Sequence, residues 1–192
     1  MKQKTAKTTT TTTVTTPLRD QCLSHCATLG IPLEPAVLDE LLTRAEREPL
    51  PPLRFLDLLL GARAILIIGV GPPGPVAHDF SNRLLRLGLN CQVQTDSYLQ
   101  LMQAALLTPQ DALVVISQTG DSYDPRRTAA EAKRMGVPVV CITGSALAPI
   151  ASFSDVVLLS ASQESMPETI SSRIAQYALI HALYICLAMR SM

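Results

Sequence analysis

Three hydroxyl side chains, Ser117, Thr119 and Ser122, surround a glycine, Gly120, in the run Ser117-Gln118-Thr119-Gly120-Asp121-Ser122. A glycine turn lined by short hydroxyls and backbone N–H groups can wrap a phosphate without any lysine. A helix opening near Asp124-Pro125 would aim its positive end at the same loop. Serine and aspartate also favour turns and helix caps for local reasons, so the composition of the loop leaves both readings open. A second loop, Gly69-Val70-Gly71-Pro72-Pro73-Gly74, fits G-x-G-x-x-G, and Asp96 follows at the distance of a ribose-binding acid. A dinucleotide site is therefore an alternative, although it gives no reason for the hydroxyl-rich loop.

Other chemistry-bearing residues are scattered. His78 falls early in a predicted helix near the ligand mouth, where an exposed helix histidine is the ordinary reading. His181 shares a face with Ile174, Tyr177 and Tyr184, which points to packing in a core or interface. Arg173 is expected to pair with Glu164, Glu168 or Asp155. Cys22, His25 and Cys26 lie close together, but no second ligand pair has zinc spacing, so no metal is expected. Five cysteines, the others being Cys91, Cys141 and Cys186, fit reduced thiols in a cytoplasmic protein.

The elements that must position these residues follow from periodicity. Aliphatic runs at Ala64–Ile68, Cys91–Gln94, Ala112–Ile116, Val137–Ile142 and Val156–Leu159 read as strands. Amphipathic segments at Val76–Leu87, Ser97–Leu107 and Pro125–Met135, and a short one after Ala148, read as helices between them. The alternation predicts an α/β fold: a doubly wound, five-stranded parallel sheet sandwiched by helices. Both loops follow strands, where such sheets bind ligands. Glu168–Met189 is apolar nearly all round, as for a helix buried in the domain or in a dimer interface.

Residues 1–16, a Lys/Thr tail, are expected to be disordered and carry no apolar stretch of the secretory kind. Residues 17–61 read as a helical linker, with one segment from Pro35 through Leu38, Leu41, Leu42 and Ala45 and another over Leu53–Leu60. This stretch holds four arginines against seven carboxylates, a net charge of −3, which argues against a nucleic-acid surface. Residues 62–192 form the ligand-binding domain. Over the whole chain 16 basic residues balance 16 acidic ones, and no apolar run reaches the ~18 residues of a membrane span. Neither nucleic acid nor membrane is an expected partner.

The pattern S-x-[ST]-G-x-[ST] after the third strand resembles the phosphate signature of SIS (sugar isomerase) domains. The likeness runs from about Ala62 to Met189. It includes ILIIGVG, the stretch RLLRLGLNCQVQTDSYLQLMQAALLTPQDALVVIS, AEAKRMGVPVVCITGSALAPIASFSDVVLLS and SSRIAQYALIHALYICL. It is strongest to the effector domain of RpiR-type bacterial transcription regulators. The resemblance implies a homodimer that binds a sugar phosphate or phosphorylated amino sugar through Gly71, Ser117, Thr119, Gly120, Ser122 and Glu164, with no cofactor. Two departures stand out. The family's ligand-touching serine in the first loop is replaced by Pro73, and no complete helix-turn-helix precedes the sheet. Nothing in the sequence fixes the base that aldose–ketose isomerisation needs. Binding without catalysis is thus the leading reading: an effector sensor without a DNA-binding half of its own, or one working through a partner. The alternatives are a sugar-phosphate isomerase, a structural module with a closed pocket, and the dinucleotide binder.

Overall fold

The computed structural model describes residues 51–160 and 170–191, with Pro35 alone before them. The described elements begin with helix α1 (Pro51–Gly61), strand β1 (Ile65–Ile68), helix α2 (Gly74–Arg86) and strand β2 (Cys91–Gln94). Helix α3 (Ser97–Ala104), strand β3 (Ala112–Ile116), helix α4 (Tyr123–Arg134) and strand β4 (Val139–Thr143) follow. A 3₁₀ turn (Pro149–Phe153), strand β5 (Val156–Leu159) and helix α5 (Ile170–Ser191) complete the set. The tail at 1–16 and the expected helix from Pro35 through Ala45 lie outside the described residues, apart from Pro35, which is helical and exposed.

The five strands are parallel and ordered β2-β1-β3-β4-β5. Every residue of the three inner strands β1, β3 and β4 is buried, because helices cover the sheet on both faces. Alternate residues separate into two cores. Ile65, Ile67, Val114, Ile116 and Ile142 join Phe55 and Leu59 of α1, Phe80 and Leu84 of α2, and Ile180, Leu183 and Leu187 of α5. Leu66, Ile68, Leu113, Val115 and Cys141 join Ala104 of α3, Ala129 and Ala132 of α4, and Ile150. The small alanines let α3 and α4 lie close to the sheet, whereas Phe55 and Phe80 fill the other face with rings 6.2 Å apart.

Helix boundaries shift from the sequence reading for local reasons. Helix α1 starts at Pro51, two residues before the expected Leu53, since a first-turn proline forfeits no intrahelical hydrogen bond. Likewise α2 starts at Gly74, with Pro75 in its first turn. Helix α3 stops at Ala104: Leu106 N–H and Leu107 N–H turn back to the Gln103 and Ala104 carbonyls in tight three-residue bonds. Strand β4 begins after Pro138, which has no N–H to give.

Helix α5 is covered on one side only. It is not buried all round within the chain: Ser172, Gln176, Ile180, Leu183 and Leu187 form its covered stripe, while Ile174, Tyr177, His181, Ile185 and Met189 are exposed. By length and hydropathy Ser172–Arg190 could cross a membrane, contrary to the reading that no run is long enough. Its covered stripe nevertheless packs on the core that α1 and α2 share. Arg190 on this helix pairs with Asp57 of α1 at 2.7 Å.

Candidate functional site

Strands β1 and β3 are neighbours, with Ile68 opposite Val115, yet the chain leaves β1 for β2 on one side and β3 for β4 on the other. Their C-terminal ends therefore bracket the topological switch point, and the two informative loops sit there.

The first loop is a tight turn. Gly71 is exposed with φ +70° and its carbonyl accepts the Gly74 N–H at 2.9 Å. At Gly69 a Cβ would come within 3.0 Å of the Pro73 carbonyl oxygen, and at Gly74 within 3.3 Å of the Gly69 carbonyl oxygen. The glycine pattern thus follows from turn closure and needs no dinucleotide. Asp96 serves a structural end as well: its Oδ1 caps α3, accepting Tyr98 N–H and Leu99 N–H at 2.9 Å each. Pro73 occupies the N-cap of α2 and supplies no side-chain cap bond.

The second loop is held rigidly. Ser117 is buried and continues the β3 ladder, its N–H donating to the Ile142 carbonyl at 3.0 Å. Its Oγ accepts the Gly120 N–H at 3.2 Å, closing the turn. Gly120 has φ +61°, and its carbonyl accepts the Ile150 N–H at 3.0 Å. Thr119 is exposed, with Oγ1 accepting the Asp121 N–H at 3.3 Å. Ser122 stands at the N-cap position of α4 but makes no side-chain cap bond, so its exposed hydroxyl is not spent on the helix. The hydroxyl thus stands at the open end of α4 without a partner in the helix. The first-turn N–H groups of α4 lack intrahelical partners and add positive potential. Arg126 neutralises Asp121 across 2.9 Å, which removes a carboxylate that would repel an anion.

Helix α5 reaches the same loop. The Gln176 Nε2 donates to Gln118 Oε1 at 2.9 Å. The Gln118 carbonyl accepts the Gly144 N–H at 2.9 Å and the Thr143 hydroxyl at 3.3 Å. Gln118, Thr143 and Gln176 were not singled out in the sequence. The available signal was an amide at a position that falls, by helical spacing, on the stripe of Ile180 and Leu187.

Other expected residues are placed as follows. His78 is exposed on α2, and His181 is exposed on α5 instead of packed within the chain. Asp155 is taken by Lys133 and by the Val139 N–H at 2.9 Å, and Arg173 is exposed. Glu164 lies outside the described residues, as do Cys22, His25 and Cys26. Cys91 and Cys141 are buried free thiols and Cys186 an exposed one. Burial pushes the Cys141 thiol up to about 12, leaving it unreactive. Among the described residues no group of three His, Cys, Asp or Glu side chains could hold a metal ion.

A doubly wound sheet with a hydroxyl-lined glycine turn at its switch point is the class this arrangement defines. The chain belongs to the SIS domain family, whose model matches residues 58–186. An uncharacterized HTH-type transcriptional regulator of Thermotoga maritima is 36% identical over 139 residues, covering 71% of this chain and 50% of that protein. The HTH-type transcriptional regulator RpiR of Escherichia coli K12 is 30% identical over 129 residues, covering 66% and 44%. The chain thus spans about half the length of these curated relatives. Among solved structures, the Vibrio vulnificus NanR protein complexed with ManNAc-6P superposes with a TM-score of 0.70 at 25% identity, covering 73% of this chain and 54% of that one. The sugar isomerase domain of an RpiR transcription factor from Sphaerobacter thermophilus shares the fold, with a TM-score of 0.70 at 24% identity and coverage of 75% and 80%.

Proposed function

We propose that this chain is the effector module of an RpiR-type transcription regulator and binds a sugar phosphate or phosphorylated amino sugar at the β1–β3 switch point. The observation that carries the reading is the Ser117–Ser122 loop: a clamped glycine turn with the Ser122 hydroxyl left uncapped at a helix N-terminus. The similarity to NanR, a regulator solved with ManNAc-6P, supports the ligand class. In this reading Ser117, Thr119, Gly120 and Ser122 hold the phosphate, Gly71 borders the ligand, and Glu164 faces the sugar. The module binds without catalysis or cofactor, in the cytoplasm, as a homodimer, and the acidic 17–61 segment makes no direct contact with DNA.

The test is equilibrium binding of a panel of phosphorylated sugars and amino sugars to the wild type and to Ser117→Ala/Thr119→Ala. The double variant is expected to lose saturable binding while keeping its circular dichroism spectrum. Unchanged affinity would remove the loop as the site. Sedimentation equilibrium reads the dimer, and a single protomer mass at micromolar concentration would contradict it.

A further inference from the structure

Gln176 is a polar residue on the otherwise mostly apolar covered stripe of α5, 1% exposed. A buried amide requires partners for both its ends. Its Nε2 has one in Gln118 Oε1 at 2.9 Å, but its Oε1 has none among the described residues. Gln118 cannot readily swing away to relieve this. Its carbonyl is held by Gly144 N–H and the Thr143 hydroxyl, and its side chain lies over Gly144, where a Cβ would come within 2.6 Å of Gln118 Nε2. A second orphan adjoins the same network: Ser160 at the end of β5 is 3% exposed, its N–H donates to the Thr143 carbonyl at 2.9 Å, and its Oγ has no partner. Gln118 itself stands between Ser117 and Thr119, so the unmatched amide is one side chain removed from the backbone that carries both hydroxyls.

We propose that Gln176 determines specificity at the sugar end of the site. Its Oε1 accepts a hydrogen bond from a hydroxyl or acetamido N–H of the bound ligand, while its Nε2 stays on Gln118. The inference rests on the phosphate-site reading above and adds to it a residue, a hydrogen-bond polarity and a ligand group. A carbonyl oxygen accepts only, so the matching ligand atom is a donor. In the free protein a water can satisfy the same oxygen, and the sugar displaces it.

The experiment compares three probes by titration calorimetry: N-acetylmannosamine 6-phosphate, glucose 6-phosphate and methyl phosphate. Methyl phosphate carries the same anion with no hydroxyl or amide donor beyond it. The wild type is expected to prefer at least one sugar phosphate over methyl phosphate. Gln176→Met, similar in shape but without an acceptor amide, is expected to lower that preference roughly five- to tenfold, the worth of one hydrogen bond, with methyl phosphate affinity unchanged. Gln176→Glu keeps the acceptor and is expected to keep the preference while weakening all three probes alike. It also carries the test if the methionine variant does not fold, since loss of preference there would count against the idea. Full preference in Gln176→Met overturns the role of Gln176 and leaves the phosphate loop standing. No preference in the wild type overturns it too. No binding of any probe, methyl phosphate included, overturns the phosphate site and this inference together.

Discussion

Two constraints meet at Gly120. Its φ of +61° is one that side chains with a Cβ adopt at a cost of about 1–2 kcal/mol. A Cβ there would also lie 2.6 Å from Ala148 Cβ and 2.8 Å from Ile150 Cγ2, both buried. Ala148 and Ile150 belong to the segment that locks the loop through the Gly120 carbonyl, so they cannot yield without moving the turn. Gly120→Ala should therefore destabilise by about 3 kcal/mol, the sum of strain and overpacking, with the urea midpoint as the measure. Gly71→Ala is the control, because it has a similar φ of +70° but nothing within 4 Å of a Cβ. It should cost only the strain, about 1–2 kcal/mol. Equal losses at the two positions would mean that the clamp around Gly120 gives way.

At the scale of elements, the strands were legible because they are buried on both faces, which leaves continuous aliphatic runs such as Ile65–Ile68 and Ala112–Ile116. The hydroxyl-rich loop was legible for a related reason: Ser117, Thr119 and Ser122 lie close together in the chain and follow a strand. The Gln118–Gln176 contact was not, since it joins residues 58 apart and depends on how α5 lies over the sheet. The exposed half of α5 was equally hidden, because composition cannot say which side of an apolar helix a single chain covers.

A further tie invisible to local reading anchors the start of β1 to that of β3. Arg63 grips Asp111 through two bonds of 3.0 and 2.9 Å, and Asp111 also accepts the Thr108 N–H and hydroxyl at 2.8 Å each. The Arg63 guanidinium, ahead of the Thr108 bonds, lowers the Asp111 carboxyl to about 2, with burial opposing. The folded-state value lies below the unfolded one of about 3.9, so this stabilisation is complete above that pH and is lost as pH falls toward about 2. Asp111→Asn should cost about 2 kcal/mol at pH 7, and the gap from wild type should close over that acidic window. Urea titrations at neutral pH and at the lower end of the window measure it. A gap that stays constant would show that the carboxylate charge contributes nothing.

For the whole molecule, the proposed ligand touches parts that the chain brings together from far apart. Ser117 continues β3, Gly120 is clamped by the segment before β5, Ser122 opens α4, and Gln118 is tied to α5. Unfolding must break all of these, so a ligand held there binds the folded state alone and stabilises it by mass action. At a concentration one hundred times its Kd the gain is about 2.7 kcal/mol. For a protein of this size each kcal/mol raises Tm by about 2–4 °C, giving an expected shift of about 5–10 °C. The shift should grow with the logarithm of ligand concentration and vanish in Ser117→Ala/Thr119→Ala. Gly88→Ala, in the turn between α2 and β2 and outside the proposed site, should lower the starting Tm through its positive φ of 78° yet keep the shift. Differential scanning calorimetry on the three proteins distinguishes the cases. A shift that survives in the double variant would place the ligand somewhere other than the switch point.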